Sequence, residues 1–359
     1  MKKYLFAFLL SGLVMACIEP SAHGQDISAR AAIVYEPRSG AVLYEKAADE
    51  PLPVASTTKI MTAKLILDNC ALDESVTVTA AHASVEGSSM YLRPGESYTV
   101  EDLLYGLMLA SGNDAAAALA EHCAGSMENF AELMNAEAET LGLENTHYVN
   151  SHGLDAEGQY SSARDLAVLT AAAMENESFC RIFSTVSYSV NELSYKNHNK
   201  LLTTCPGCIG GKTGYTEKAG RILVSCVERN GMRLICVTIS DPRDWEDHKN
   251  LYDKCFAEYD YIPILGDGIS MDIISGKSPE AKLKARVPGI CVSSNDAVSL
   301  RLHLPRFCFA PVMCGDKAGW AEIVGIKGRL CIVDILFSET IPVDKNMAGI
   351  PLLIKEGEL

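Results

Sequence analysis

The sequence is short of basic residues and contains no long repeat and no low-complexity tract. Lysine and arginine total 31 against 46 aspartates and glutamates, so the formal charge of the 359 residues is −15 at pH 7. A negative charge of this size repels phosphate backbones, and we predict no nucleic-acid partner. The composition is otherwise ordinary, with 48% hydrophobic and 21% charged residues, which excludes a disordered or collagen-like chain.

After the N-terminus, no apolar run reaches the roughly 18 residues that a membrane-spanning helix needs. At the N-terminus, two lysines precede an uncharged apolar run over residues 4–16, which is itself too short to span. Small residues stand at the third and first positions before Gln25, so we predict a signal peptide over residues 1–24 and an exported protein. A second interpretation stays open, because residues 14–17 resemble a lipoprotein box. A lipid on Cys17 would attach the protein to the membrane surface.

The sequence also lacks a second C-x-x-C motif to accompany Cys205 and Cys208. A structural zinc site usually takes four ligands, and this pair supplies two, so we predict no metal site and no cofactor. Many of the 13 cysteines lie in apolar runs, as Cys226 and Cys236 do, where a thiol behaves as a small hydrophobic group. We interpret the Cys205–Cys208 segment as a turn-stabilising pair, either reduced or oxidised.

Strand patterns lie at both ends of the first 261 residues, and helix patterns lie between them. Residues 31–35 and 41–44 predict one hairpin, and the runs 221–228 and 232–240 predict another, joined by Asn230-Gly231. Helical patterns cover residues 56–67, 99–109, 113–123, 127–141, 162–175 and 245–259, and Thr99 with Asp102 resembles a capping box that opens the second of them. This order predicts an α+β fold in which an antiparallel sheet is flanked by helices, with a helical block inserted between its strands.

From residue 262 the sequence carries strand patterns alone. We therefore predict two domains after the signal peptide, the α+β domain over residues 25–261 and a small all-β domain over residues 262–359.

Ser56 and Lys59 stand three residues apart at the start of a predicted helix, on one face. A serine hydroxyl is a weak nucleophile unless a base takes its proton, and lysine can be that base only if burial or a nearby cation lowers its pKa. The N–H groups at the start of a helix also face developing negative charge. The spacing alone is weak evidence, because it occurs about once by chance in a chain of this length.

Two further motifs could serve the same chemistry. Ser111-Gly112-Asn113 separates two helical patterns, where a hydroxyl could relay a proton and an amide could hold a carbonyl, although helix capping is an equal alternative. Lys212-Thr213-Gly214 precedes the second hairpin. It offers charge and a hydroxyl to an acidic ligand whose backbone could approach the glycine closely, and the alternative is a solvated loop lysine.

In this order, the three motifs resemble the active-site set of penicillin-binding proteins and serine β-lactamases. Residues 55–63, 109–115, 150–154 and 211–216 resemble D-alanyl-D-alanine carboxypeptidases, the low-molecular-mass penicillin-binding proteins of serine peptidase family S11. The resemblance implies a β-lactamase/penicillin-binding-protein-like fold for the first domain. It also implies removal of the terminal D-alanine from peptidoglycan stem peptides, and inhibition by β-lactam antibiotics.

The resemblance further implies a role for each motif residue. Ser56 would attack the peptide carbonyl, Lys59 would accept its proton and Ser111 would help to carry a proton to the leaving amine. Asn113 would hold the substrate or Lys59, and Lys212 would set the local potential. Thr213 would bind the terminal carboxylate, and the N–H groups of Ser56 and Tyr215 would form an oxyanion hole. Gly214 and His152 are the other implied substrate contacts, with His152 beside the cleft.

Two features depart from the family pattern. Many members carry an arginine after the hairpin that assists carboxylate binding, and Arg243 lies nearby without a clear alignment. Recognition of the carboxylate would then depend more on Thr213 and Lys212. Many relatives also end in a long amphipathic helix, for which the apolar segment 350–354 is too short. The protein would be either released or held through Cys17.

Other functions of the same fold stay open from the sequence. DD-endopeptidase or transpeptidase activity differs from carboxypeptidase activity in cleft shape and acceptor access, which sequence motifs do not report. A β-lactamase needs fast deacylation, and the Glu-x-x-Leu-Asn arrangement that would support it is absent. A non-catalytic wall-binding protein is the remaining alternative.

Overall fold

The computed structural model describes residues 27–344, except residues 192, 267 and 327. The predicted signal peptide, Cys17 and the segment 350–354 lie outside the described residues. The described chain divides into two compact units, the first ending at Asp260 and the second beginning at Tyr261. The boundaries of the signal peptide and of the two domains stay predictions.

The first unit contains both short and long strands. In chain order they are β1 (Ala31–Glu36), β2 (Ala41–Lys46), β3 (Ser75–Thr77), β4 (Ser97–Thr99), β5 (Ser187–Val190), β6 (Leu193–Lys196), β7 (Cys208–Thr216), β8 (Gly220–Arg229) and β9 (Met232–Ile239). The central sheet has the order β2-β1-β9-β8-β7, and its neighbours are antiparallel, so N-terminal strands lie beside C-terminal ones as predicted. Strand β7 is at one edge of this sheet.

The first unit also contains helices, most of which lie between β2 and β7. They are α1 (Lys59–Asn69), α2 (Ala80–Ala83), α3 (Val100–Leu109), α4 (Asn113–Ala124), α5 (Met127–Thr140), α6 (Ala163–Ala173), α7 (Glu177–Ser184), α8 (Leu201–Thr204) and α9 (Asp244–Glu258). None of the helices in the described part of the chain is long and apolar enough to cross a membrane.

Strands β8 and β9 are buried along most of their length because helices cover both faces of the sheet. Ile222 and Val224 pack into the core with the inserted helices. On α9, the side chains of His248 and Tyr252 reach Ser225 of β8. These buried positions explain why β8 and β9 read as continuous apolar runs rather than as alternating strands.

Local sequence signals fix several of the element ends. Thr99 and Asp102 form the predicted capping box at the start of α3, because each side chain accepts a hydrogen bond from the other's backbone N–H. The turn between β8 and β9 has positive φ at both Asn230 and Gly231, as the Asn-Gly signal indicates. The predicted helix at 56–67 begins later than expected, since residues Ala55–Thr58 form a 3₁₀ turn before α1.

The second unit is built from strands, as predicted. After β10 (Tyr259–Pro263), which crosses the division, they are β11 (Ser270–Ile274), β12 (Glu280–Ala285), β13 (Gly289–Ser293), β14 (Ser299–His303), β15 (Phe307–Phe309), β16 (Lys317–Gly325) and β17 (Gly328–Phe337). A six-stranded sheet has the order β14-β16-β17-β12-β11-β15, in which only the β11–β15 pair, among the described strands, is parallel. Its core includes Ile273, Ala281, Ala321 and Ile335.

Candidate active site

Ser56 lies in the tight turn that precedes α1. The preceding residue, Ala55, has φ +44°, a left-handed conformation that costs a non-glycine residue about 1 kcal/mol. Strand β7 passes directly behind this turn, and a Cβ on Gly214 would lie 3.2 Å from the Ser56 nitrogen. Glycine at position 214 therefore lets the strand approach the backbone of the serine, and the strained turn holds the serine at the mouth of a cleft.

Lys59 is fully buried, and its Nζ has three oxygen neighbours. They are Ser56 Oγ at 3.0 Å, Asn113 Oδ1 at 2.7 Å and the His152 carbonyl oxygen at 2.6 Å. Burial, followed by the charge of Lys212, holds the pKa of Lys59 well below its usual value, although Asp114 opposes this shift. A neutral amine has two N–H donors for the amide and the carbonyl, and its lone pair is left to accept the serine proton.

The junction between α3 and α4 positions Asn113. Its Oδ1 accepts from Lys59, and its Nδ2 donates to the Glu86 carbonyl at 2.6 Å, so both ends of the amide are used. The next residue, Asp114, is buried and accepts hydrogen bonds from Ser89 Oγ and from the Met90 nitrogen. The start of α4 is thus tied to the loop between α2 and β4, and Asn113 contacts the lysine rather than the cleft.

Ser111 and Lys212 form a second polar pair. Ser111 has φ +59° and is 3% exposed, and its Oγ accepts a hydrogen bond of 2.9 Å from Lys212 Nζ. Lys212 lies within β7 and also donates to the Thr213 carbonyl at 2.8 Å. Burial lowers the pKa of Lys212 to about 7. The alternative of a solvated loop lysine is therefore wrong, because this side chain is buried in the sheet.

His152 contributes its main chain to the site. Its carbonyl contacts Lys59, and its ring Nδ1 accepts from the Leu154 nitrogen at 3.2 Å. Burial, and after it the charge of Lys59, lowers the pKa of the imidazole to about 4, so the ring is neutral near pH 7. Thr62 Oγ1 donates to the Ser151 carbonyl at 2.6 Å and fixes this loop against α1.

The cleft in front of Ser56 has a volume of about 560 Å³. Five residues predicted from the sequence line it, namely Ser56, Ser111, Thr213, Gly214 and Tyr215. Lys59 and Lys212 stand behind this wall and contact it at Ser56 and Ser111, and Asn113 and His152 contact Lys59 from the far side. The sequence reasoning missed the remaining wall, formed by Ser88, Asn197, His198, Lys200, Arg221, Ile222, Asp244 and Trp245.

Arg221 is the chief cation among the missed residues. It stands opposite Tyr215 in the pairing of β7 with β8. Its Nη2 donates to both carboxylate oxygens of Asp244, at 2.9 and 2.8 Å, and its guanidinium lies 5.8 Å from the Trp245 ring centre. Arg243, the arginine considered from the sequence, is exposed and does not line the cleft. Arg221 could have been identified by pairing the strands on either side of the β7–β8 turn, since this pairing places it opposite Tyr215.

A hydroxyl, an amine whose pKa is lowered by burial, and a cleft that carries cations are the parts that acyl transfer needs. The amine can take the serine proton, and the start of α1 directs backbone N–H groups towards the position of the serine. The cleft walls carry Lys200 and Arg221, which attract a negatively charged ligand end in a protein whose net charge is negative.

Comparison with known proteins gives matches over the same region. The family model of peptidase S11, described as D-alanyl-D-alanine carboxypeptidase, matches residues 18–243. The D-alanyl-D-alanine carboxypeptidase DacF of Bacillus subtilis is 35% identical over 284 residues, which are 73% of this chain and 73% of the relative.

Solved structures extend the similarity to the fold. Penicillin binding protein 5 from Haemophilus influenzae has a TM-score of 0.75 at 28% identity, covering 89% of this chain and 99% of its own. A Streptomyces DD-transpeptidase has a TM-score of 0.63 at 34% identity, covering 65% of this chain and all of its own, 100%. The predicted α+β fold is confirmed by these structures.

Proposed function

Because the chain belongs to peptidase family S11, the D-alanyl-D-alanine carboxypeptidases, we propose a catalytic role for each residue of its cleft. The family acts on peptidoglycan peptides and binds penicillin, and it works through an acyl-enzyme on serine. The proposal assigns the acyl group to Ser56 and the general base to Lys59.

The 3.0 Å separation between Lys59 Nζ and Ser56 Oγ in a buried setting is the observation that carries this proposal. As the oxygen of Ser56 bonds to the penultimate D-alanine carbonyl, its proton passes to Lys59 and the carbonyl oxygen takes up negative charge. We assign the oxyanion hole to the N–H groups of Ser56 and Tyr215. The C–N bond then breaks, and the proton that Lys59 took from Ser56 passes through Ser111 to the leaving D-alanine amine, so Lys59 is neutral again. Water hydrolyses the ester, with Lys59 again accepting the proton.

For the carboxylate of the leaving D-alanine, we propose Thr213 and Arg221 as partners. Both line the cleft, and Asp244 and Trp245 orient the guanidinium without covering it, since the arginine side chain stays 45% exposed. Lys212 does not face the cleft, so its part is to donate to Ser111 and to lower the pKa of Lys59.

The direct test of the nucleophile uses a stem pentapeptide ending in D-Ala-D-Ala and a fluorescent penicillin. The parent protein should release one D-alanine per peptide and become labelled, and Ser56→Ala should do neither. The matched control is Ser88→Ala, which changes another hydroxyl of the same cleft. Labelling of Ser56→Ala would contradict the assignment. Adding a D-amino acid acceptor separates hydrolysis from transpeptidation, the activity named for the Streptomyces structure.

Arg221 is tested by comparing two substrates. Arg221→Gln should lower kcat/KM for the free-acid peptide by about 10- to 100-fold, as expected for one charge-assisted hydrogen bond, and should change little with a C-terminal amide. Arg229→Gln, on the same strand but paired with Asp253, is the control. An equal loss on the acid and the amide would remove Arg221 from carboxylate recognition.

We also propose that the protein is exported by cleavage of residues 1–24. The intact mass of the exported form distinguishes the outcomes, because a chain starting at Gln25 excludes a lipid on Cys17.

A further inference from the structure

A second group of reactive side chains lies at the ends of α1 and α4 that are remote from the cleft. Helix α1 begins at Lys59 and has Cys70 as its C-cap residue. Helix α4 begins at Asn113 and carries His122 and Cys123 in its last turn. Glu74 belongs to the loop between α1 and β3. Helix packing therefore brings together residues that are about 50 positions apart in the sequence.

The ligand atoms of Cys70, Glu74 and His122 all lie within 4.8 Å of one another. His122 Nε2 is 2.8 Å from Glu74 Oε2. Cys123 extends the group, because its thiol lies beside the thiol of Cys70. The two thiols are partly exposed, as is His122, so the group is open to solvent.

This set of donor atoms matches one class of ligand. Thiolate sulfur, imidazole nitrogen and carboxylate oxygen are the atoms that Zn²⁺ takes in four-coordinate sites, at about 2.0 to 2.3 Å. Ligands of one ion at those distances are about 3.3 to 3.8 Å apart. Small rotations therefore bring Cys70, Glu74 and His122, whose ligand atoms are already within 4.8 Å of one another, to three corners of such a site, and the Cys123 thiol beside Cys70 is available for the fourth. We propose that Cys70, Glu74 and His122 bind a zinc-class divalent transition-metal ion, with Cys123 as the fourth ligand.

Simpler explanations account for only part of the group. A disulfide between Cys70 and Cys123 would use the two thiols and leave the contact between His122 and Glu74 unexplained. An ion pair would use His122 and Glu74 and leave the two thiols unexplained. A metal ion uses all four residues, and it would release one proton from each coordinated thiol to solvent.

The proposed ion has a structural effect and takes no part in peptide cleavage. Helix α1 has 11 residues, so its two ends are about 16 Å apart. An ion at the far end would join the last turns of α1 and α4 and the loop that leads to β3. It would thereby stabilise the two helices whose first residues, Lys59 and Asn113, contact each other behind Ser56.

The test uses the full chain, freshly reduced and metal-free. Titration with Zn²⁺ against a chromophoric chelator should give one bound equivalent, and Co²⁺ should give sulfur-to-metal charge-transfer absorption. Cys70→Ser and Glu74→Gln keep the side-chain size and should weaken binding by at least about tenfold, since even residues that only support a ligand cost that much. At the same metal concentration, the metal should raise the melting temperature of the parent more than that of Cys70→Ser. Penicillin acylation should be the same with and without metal.

The matched control removes the other close thiol pair. The double variant Cys205→Ser with Cys208→Ser should bind one equivalent as the parent does, and a loss of binding there would place the ion at that pair and overturn the proposal. Unchanged affinity in Cys70→Ser and Glu74→Gln would also overturn it. So would a Cys70–Cys123 disulfide in the exported protein, found by non-reducing peptide mapping, with no metal bound after reduction. Equal melting temperatures of the metal-free parent and variants exclude a folding defect as the cause of weak binding.

Discussion

The general-base role of Lys59 can be tested by exchanging the amide that contacts it for a carboxylate. In Asn113→Asp a negative charge would stand about 2.7 Å from Lys59 Nζ, the distance of the present amide oxygen. With an effective dielectric constant of about 20, the attraction between the two charges is about 6 kcal/mol, which corresponds to a rise of about four pKa units. The amine would then keep its proton near pH 7 and could not accept the proton of Ser56.

The assay is the second-order rate constant for acylation by a fluorescent penicillin, measured from about pH 6 to about pH 10. At pH 7 the variant should be slower by about 10²- to 10⁴-fold, the usual contribution of a general base, and should recover as the pH rises. Asn295→Asp makes the same chemical change on an exposed residue of the second unit and should acylate normally. A folded Asn113→Asp protein within about threefold of the parent over the whole range would refute the assignment of Lys59 as the base.

Three further predictions concern charge and backbone geometry. Burial lowers the pKa of Lys212 to about 7, so the charge of Lys212 is present below that pH and lost above it. In the parent, kcat/KM for the pentapeptide should therefore fall from about pH 7 upward, and the pH profile of Lys212→Met should lack this fall. Burial lowers the pKa of His248 to about 3, so between about pH 6.5 and about pH 3 the unfolded chain holds a proton that the folded chain does not. The free energy of unfolding should fall by up to about 1.4 kcal/mol per pH unit as the pH drops through that window. When this free energy is measured by urea titration at each pH, it should depend less steeply on pH in His248→Gln. A Cβ on Gly153 would lie 1.9 Å from the Ala55 carbonyl oxygen, whereas a Cβ on Gly95, at nearly the same φ, meets nothing within 4 Å. Gly95→Ala should lose about 1 kcal/mol of stability and Gly153→Ala at least about 2 kcal/mol more, with loss of penicillin labelling; equal losses would contradict the close contact.

Elements with strong local signals could be predicted from the sequence. The Asn230-Gly231 turn and the Thr99–Asp102 capping box depend on residues within one turn of each other, and both form as expected. The hairpin β5–β6 and helix α7 were not predicted, because both are short, with strands of four residues and a helix of eight. The late start of α1 was also missed, since the 3₁₀ turn at Ala55 depends on contacts from β7 and from the loop at Gly153, which are remote in sequence.

The same distinction applies to the cleft. The motif residues were identifiable because Ser56 with Lys59, and Lys212 with Thr213, are close along the chain as well as in space. Arg221 belongs to the cleft only through the register of β7 against β8. Likewise, the amide of Asn113 is turned towards Lys59 by the Glu86 carbonyl, a contact that no spacing rule indicates. Cys70 and His122 are brought together by the packing of two helices, so their spacing along the sequence does not indicate that they are neighbours.

The position of β7 at the edge of its sheet has a consequence for substrate range. One side of this strand pairs with β8, and the other presents main-chain N–H and C=O groups next to Ser56. An extended peptide laid along that border would be aligned by bonds common to every amino acid. Differences in the side chains of stem peptides upstream of the two D-alanines should then alter turnover only modestly. A bend that prevents the peptide main chain from pairing with the edge of β7 should abolish turnover.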